Sequence, residues 1–179
     1  MSSAQATILV VDDSVTNLHL LSVMLSSLGY RAHRATSGEN ALTTLETILP
    51  ELVLLDVSMP GIDGYKVCQI LKADPRTCDI PVIFISALDE VMDKVKGFNV
   101  GGVDYITKPF QIAEVRIRVQ THLALRQLQQ ELQQKNQLLL AERLLAGKIQ
   151  SDLLPKITPI LPGFEIAAYC VPSREVGGD

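Results

Sequence analysis

The segment LVLLDVSMPGIDG, residues 52–64, is the most informative part of the sequence for the fold class. It opens with four consecutive apolar residues, Leu52–Leu55, and this lack of polar alternation is typical of a strand buried on both faces of a parallel sheet. The run ends on Asp56, and a turn containing proline and glycine follows before a helical pattern begins at Asp63. An acidic side chain therefore stands at the carboxyl end of a buried strand.

The same succession of a short apolar run and a helical pattern occurs five times along the chain. The predicted strands are Ile8–Val11, Tyr30–Ala35, Leu52–Leu55, Val82–Ile85 and Val103–Thr107. The predicted helices are Ser14–Leu28, Gly38–Leu49, Asp63–Lys72, Leu88–Val100 and a fifth that begins at Gln111. Strands that alternate with helices indicate an α/β domain with a doubly wound parallel sheet, and right-handed crossovers place helices on both of its faces.

The fifth helical pattern is much longer than the others. Neither proline nor glycine occurs from Gln111 to Ala146, and the composition after Thr121 is rich in Gln and Leu. The 3–4 spacing is occupied by Leu125, Leu128, Leu132, Leu139 and Ala146, with Lys135 and Glu142 as polar members. This spacing predicts a long C-terminal helix that forms a coiled coil of about three to four heptads. The alternative is one amphipathic helix packed on its own domain.

Composition and charge exclude several classes of function. The 179 residues are 47% hydrophobic, which is enough for a packed core. Sixteen basic and 20 acidic side chains give a net charge of −4, which argues against non-specific binding to nucleic acid or to an anionic membrane. The cysteines are too few for a disulfide framework, and no apolar run approaches the roughly 18 residues of a membrane span. We therefore expect a cytoplasmic protein with no nucleic-acid or membrane partner.

Polar side chains stand at the carboxyl ends of four predicted strands: Asp12 and Asp13 at the first, Asp56 at the third, Ser86 at the fourth and Lys108 at the fifth. In a doubly wound sheet, ligands bind beyond these ends, near the point where the strand order reverses. Three crowded carboxylates repel one another, and a hard divalent cation such as Mg²⁺ relieves the repulsion. A carboxylate beside Mg²⁺ can attack a phosphoryl group, while an ammonium and a hydroxyl stabilise the charge on the phosphoryl oxygens.

Each of these residues also has an ordinary structural interpretation. Asp13 could cap the first helix, and Asp56 could be an acid in a loop. Ser86 could cap a helix, and Lys108 could be a solvated surface charge. Their joint occurrence at successive strand ends favours phosphoryl-transfer chemistry over four unrelated roles.

Four segments taken together resemble the receiver domain of two-component response regulators over roughly residues 7–122. They are LVVDDS (9–14), LVLLDVSMPGIDG (52–64), VIFISA (82–87) and DYITKPF (104–110). The resemblance implies a flavodoxin-like fold with strand order 2-1-3-4-5. It also implies that a histidine kinase or a phosphotransfer protein donates a phosphoryl group to the chain, which would be a signalling module rather than an enzyme.

The resemblance assigns the acidic residues to the metal and to the phosphoryl group. Asp56 would be the phosphoacceptor. Asp12 and Asp13 would hold Mg²⁺ together with Asp56, Asp12 through a water molecule. The main-chain carbonyl of Ser58 would supply a further metal ligand.

The remaining strand-end residues would take part in switching. Lys108 would contact the phosphoryl group, and Ser86 would be the switch hydroxyl. Tyr105 would be the switch aromatic, moving inward as Ser86 engages the phosphoryl group. The family also has a cis peptide bond at the position of Lys108–Pro109, and an X-Pro bond is the context in which a cis bond is common.

A second resemblance lies in the tail AGKIQSDLLPKITPILPGFEIAAYCVPSREVGGD, residues 146–179. It is similar to the opening of the PPM-type metal-dependent serine phosphatases that act on anti-sigma-factor antagonists. In that family a helix ending in IQ…LLP precedes a strand and a P-x-R-x-V-G-G-D segment, and Asp179 would match a metal-binding aspartate. Because the other metal ligands of such a site are missing, we expect no phosphatase activity from this chain.

The sequence therefore predicts three parts. These are a receiver domain at 1–122, a coiled-coil linker helix at 123–153 that joins two copies into a homodimer, and the incomplete start of a phosphatase-like domain at 154–179. The alternative function is a receiver-regulated serine phosphatase of which this chain is the N-terminal part. A haloacid-dehalogenase-like phosphohydrolase is disfavoured, because the adjacent Asp12 and Asp13 do not form the D-x-D motif of that class.

Overall fold

A computed structural model describes residues 5–87, 91–153 and 162–163 of the chain. The predicted start of the fourth helix at Leu88 lies outside the described residues. So does nearly all of the predicted phosphatase-like segment 154–179, including Asp179.

Five strands alternate with five helices. The strands are β1 (Thr7–Val11), β2 (Arg31–Ala35), β3 (Leu52–Asp56), β4 (Val82–Ser86) and β5 (Asp104–Thr107). The helices are α1 (Val15–Ser27), α2 (Gly38–Thr47), α3 (Gly64–Ala73), α4 (Val91–Asn99) and α5 (Ile112–Leu153). The predicted elements are confirmed, and their ends differ from the sequence pattern by at most two residues, apart from the first residues of α4.

The five strands form one parallel sheet in the order β2-β1-β3-β4-β5. The predicted doubly wound fold is confirmed, and so is the long C-terminal helix. Every residue of β3 and β4 is buried, which explains why their sequences show no polar alternation. The strand order reverses between β1 and β3, and this is the point at which open α/β sheets bind ligands.

Two apolar layers cover the two faces of the sheet. One layer contains side chains of α2 and α3 together with Val53, Leu55 and Phe84. The other contains side chains of α1 and α5 together with Leu54 and Ile83. Alternate residues of the same strand therefore belong to opposite layers, as the period of two of a β-strand requires.

The start of α1 is set by Ser14. Its side-chain oxygen accepts the backbone N–H of Asn17 at 3.5 Å, and Ser14 has the extended backbone of an N-cap residue. The alternative in which Asp13 caps this helix is therefore wrong. Asp13 is exposed at the carboxyl end of β1 instead.

The chain divides into two compact units, one up to Gln127 and one from Leu128 onward. The second unit contains the later part of α5, whose large apolar side chains are 51% to 64% exposed. They are Leu128, Leu132, Leu138, Leu139, Leu140, Leu144, Leu145 and Ile149. Within the described ranges, no helix is both long enough and apolar enough to cross a membrane. The predicted boundaries at 122 and 153 and the coiled coil remain predictions.

Candidate functional site

Three carboxylates meet beyond the carboxyl ends of β1 and β3. Asp12 and Asp13 follow β1 directly, and Asp56 is the last residue of β3. Each contributes an oxygen, and these oxygens all lie within 4.8 Å of one another. Asp12 is 0% exposed and Asp56 is 3% exposed, whereas Asp13 is open to solvent. The buried position of Asp56 within a strand contradicts its alternative interpretation as a loop acid.

Lys108 joins the two buried carboxylates. Its Nζ lies 2.9 Å from Asp56 Oδ2 and 3.0 Å from Asp12 Oδ2. The Lys108 side chain is 24% exposed, so the alternative of a solvated surface charge is wrong. Its backbone N–H donates to the carbonyl of Ser86 at 2.9 Å, which holds the segment after β5 against the end of β4. The peptide bond between Lys108 and Pro109 is cis, as the resemblance implied.

Asn17 orients the Asp12 carboxylate and was missed by the sequence analysis. Its Nδ2 donates to both carboxylate oxygens of Asp12 at 3.0 Å. The backbone N–H of Ser14 also donates to Asp12 Oδ1, at 2.9 Å. Asn17 could have been found from the sequence as an amide side chain in the first turn of the helix that follows the acid at a strand end.

The site carries more negative than positive charge. Burial raises the pKa of Asp56 above that of a free aspartate, Lys108 opposes this through its hydrogen bond and its charge, and the charge of Asp12 reinforces it. Burial lowers the pKa of Lys108, but hydrogen bonds and charges from Asp56 and Asp12 outweigh it, so that this pKa is raised overall. The Lys108 ammonium is therefore charged at neutral pH and compensates the carboxylates only in part.

The donor set fits a hard divalent cation. Carboxylate and carbonyl oxygens are the ligands that Mg²⁺ prefers, and one ammonium among three carboxylates leaves an excess of negative charge. Asp13 and Ser58 line a cleft of about 550 Å³ together with Met59, Pro60, Asp63, Tyr65 and Lys96. The exposed side of the carboxylate cluster therefore opens onto a cleft that is wide enough to admit a hydrated ion.

Gly64, the first residue of α3, allows the helix to approach the end of β3. A Cβ atom at this position would overlap the backbone oxygen of Asp56. The Gly64 N–H donates to the carbonyl of Val57 at 3.0 Å. The glycine thereby holds α3 against the residue that carries the central carboxylate, a role that the sequence analysis did not assign to it.

The two predicted switch residues lie on neighbouring strands. Ser86 is the buried last residue of β4, and Tyr105 on β5 is 5% exposed. The Tyr105 ring packs against Phe84 at 5.4 Å between centroids and against Phe98 at 5.5 Å, the latter edge-on. The cross-strand partner of Ser86 is Thr107, next to Lys108. The structure thus brings Ser86 to the rim that the carboxylates occupy, which is the edge of the sheet formed by the carboxyl ends of the strands. Tyr105 lies in the aromatic layer beneath α4.

Comparisons with known proteins agree with this geometry. A family model for the response regulator receiver domain matches residues 8–120. The transcriptional regulator RpaA of Synechocystis, described as DNA-binding, is 40% identical over 116 residues, which are 65% of this chain and 48% of RpaA. The response regulator PleD of Caulobacter vibrioides is 41% identical over 130 residues, which are 73% of this chain and 29% of PleD.

Solved structures show the same fold. The receiver domain of the Francisella response regulator 1452 is 32% identical with a TM-score of 0.62, and the match covers 67% of this chain and 98% of that domain. The chain spans about half the length, or less, of the curated relatives named above. The likeness therefore concerns the receiver part and does not extend to the remainder of those proteins.

Replacing Asp56 with Asn is expected to raise the melting temperature at neutral pH. Because the folded-state pKa of Asp56 is raised, its ionisation costs stability above the unfolded pKa of about 3.9, and this cost disappears at lower pH. The advantage of Asp56→Asn should therefore shrink as the pH falls from about 7 to about 4. Thermal unfolding in metal-free buffer measures it, with the exposed Asp79→Asn as a control that should change little. A lower melting temperature for Asp56→Asn at neutral pH would contradict this prediction.

Mg²⁺ is expected to raise the melting temperature of the chain. A ligand that binds only the folded state stabilises it by about 2.7 kcal/mol at a hundred times its Kd. Asp13→Asn removes the exposed carboxylate of the cluster and should abolish most of the Mg²⁺-dependent shift. Asp63→Asn is the matched control, because Asp63 lines the same cleft outside the cluster and Asn can replace it as the cap of α3. An equal Mg²⁺ response in both variants would argue against the site.

Proposed function

The chain belongs to the response regulator receiver family, and we propose that Asp56 accepts a phosphoryl group from a histidine kinase or a phosphotransfer protein. The observation that carries the proposal is the meeting of Asp12, Asp56 and Lys108 at the ends of three different strands, where the Lys108 Nζ lies 2.9 Å from Asp56 Oδ2 and 3.0 Å from Asp12 Oδ2. Burial of charged side chains costs free energy, so the stability of the fold does not explain why these three side chains lie together.

In this proposal Asp56 is the nucleophile. One of its carboxylate oxygens forms a bond to phosphorus, the bond between phosphorus and the imidazole nitrogen of the donor breaks, and the imidazole keeps the electron pair. Asp12 acting through water, Asp13, Asp56 and the main-chain carbonyl of Ser58 would hold Mg²⁺. The chemistry that bound Mg²⁺ supplies is neutralisation of the charge on the phosphoryl oxygens.

Lys108 and Ser86 then respond to the new charge on Asp56. The Lys108 ammonium has three N–H donors, and the carboxylates of Asp12 and Asp56 both lie within hydrogen-bond distance of it. Its remaining donor can reach a phosphoryl oxygen, and the Ser86 hydroxyl can donate to another. Movement of Ser86 would free space at the end of β4, which would further favour the buried position that the Tyr105 ring already has in this structure and couple the acyl phosphate to β5 and α5.

The chain consumes a phosphoryl group stoichiometrically, so we propose a signalling module and not an enzyme. Its output is proposed to pass through α5 to a homodimer formed by the 123–153 helix. The support for this is the row of exposed leucines with 3–4 spacing along the second unit, for which a second copy of the same helix provides a complementary surface.

The second candidate function is a serine phosphatase controlled by the receiver, with this chain as its N-terminal part. The string P-S-R-E-V-G-G-D at residues 172–179 favours it. In that case Asp179 would be one of several metal ligands, and a longer form of the protein would carry the activity against an anti-sigma-factor antagonist. Turnover of a phosphoserine protein by this chain with Mn²⁺ would instead assign the activity to the segment present here.

Phosphorylation is tested by intact mass measurement after incubation with acetyl phosphate and Mg²⁺. The parent chain should gain one phosphoryl group, and Asp56→Asn should gain none. Asp63→Asn is again the matched control and should gain the group as the parent does. A gain in Asp56→Asn, or no gain in the parent in the presence of Mg²⁺, would refute the proposal.

The homodimer is tested by light scattering coupled to size-exclusion chromatography. The double substitution Leu132→Lys/Leu139→Lys puts like charges into the predicted contact between the two helices. This variant should yield the monomer mass, while the parent yields the dimer mass. The control is Gln130→Lys/Gln137→Lys, which adds the same charge to the opposite side of the helix and should leave the dimer intact. Equal masses for the parent and for Leu132→Lys/Leu139→Lys would exclude a homodimer formed through these leucines.

A further inference from the structure

Tyr105 occupies space that exists because residue 97 of α4 is glycine. A Cβ atom at Gly97 would overlap the hydroxyl oxygen of Tyr105 and would lie 2.7 Å from its ring Cζ. Protein interiors are close-packed, so an overlap of this size cannot be absorbed by small adjustments. The buried position of the ring is therefore incompatible with any side chain at position 97 as long as α4 stays in place.

The backbone of α4 is held at this point. The carbonyl of Gly97 accepts the N–H of Gly102 at 2.9 Å, which ties the end of the helix to the turn that leads into β5. Gly102 is itself confined, because a Cβ atom there would overlap the ring of Phe84. A larger residue at position 97 would therefore displace the tyrosine ring before it displaces the helix.

We propose that Gly97 is a positioning residue for Tyr105, and that the residue at this position sets how strongly the inward position of the ring is favoured. The close approach of Gly97 to the Tyr105 hydroxyl supports the positioning role directly. Its consequence for signalling rests on the switch role proposed for Tyr105. Glycine weakens a helix relative to alanine, so its presence within α4 needs a reason of this kind.

Phe84 offers a competing explanation for the glycine. Its Cδ2 atom would lie 3.0 Å from a Cβ atom at Gly97, which is close but not an overlap. If Phe84 were the reason for the glycine, the effect of a methyl group would not depend on Tyr105. The two explanations therefore differ in whether positions 97 and 105 are coupled.

A double-mutant cycle on the full chain measures this coupling. Gly97→Ala is expected to lower the melting temperature when Tyr105 is present. In a Tyr105→Ala background the overlap is gone and alanine favours the helix, so the same substitution should leave the melting temperature unchanged or raise it. A loss of the same size in both backgrounds would overturn the proposal and assign the glycine to Phe84.

The position of the ring is measured by ¹⁹F NMR of the chain labelled with 3-fluorotyrosine, with Tyr105→Phe to assign the resonance. In the parent, Tyr105 should be as protected from a soluble gadolinium chelate as the buried Tyr65. In Gly97→Ala, the Tyr105 resonance should shift, and the gadolinium chelate should broaden it, while the Tyr65 resonance stays protected. A Tyr105 resonance as protected in Gly97→Ala as in the parent would refute the proposal.

Failure of this inference and failure of the proposed function are distinguishable. Gly97→Ala leaves Asp56, Asp12 and Lys108 untouched and should still gain a phosphoryl group from acetyl phosphate. If the parent chain gains none, the proposed function fails, but the coupling between positions 97 and 105 is measured independently of it.

Discussion

The ammonium of Lys108 between two buried carboxylates is the interaction on which the site depends. Asp12 follows β1 and Asp56 ends the adjacent β3, and without a cation between them their burial would be strongly unfavourable. The same ammonium belongs to the segment after β5, so under the proposed function a change in the charge of Asp56 would act directly on the position of that segment. A proton, a metal ion and a phosphoryl group would each alter the balance at this one point.

Strand β5 leads directly into Lys108 and also contacts α5. Tyr105 faces the aromatic layer beneath α4, whereas Asp104, its neighbour in the strand, faces the helix on the other side. The Asp104 carboxylate accepts from Arg118 Nη1 at 2.5 Å and lies 3.0 Å from His122 Nε2, and both partners belong to α5. Burial raises the pKa of Asp104, but the hydrogen bonds from Arg118, His122 and the Tyr105 backbone outweigh it and lower this pKa overall. A shift of β5 would therefore be transmitted to the helix.

Close approaches of backbone to backbone and of ring to backbone define the environment of the site. Gly64 lets α3 lie against the carbonyl of Asp56, and Gly97 gives the Tyr105 hydroxyl its space. Gly64 is the first residue of α3, whereas Gly97 lies inside α4, where local preference alone would favour another residue. Their roles could not be predicted from spacing, because a glycine in a sequence does not indicate which distant atom approaches it.

The fold class and the charged residues at the carboxyl edge of the sheet could both be predicted from the sequence. Unbroken apolar runs can be buried only between two helical layers, and acids or a lysine at the end of such runs must then meet on one edge of the sheet. The pairing of atoms could be seen only in the folded chain. Lys108 bridges Asp12 and Asp56, and Asn17 orients Asp12. Ser14 rather than Asp13 caps α1. These pairings depend on distances between segments far apart in the chain, and periodicity along one segment carries no information about such distances.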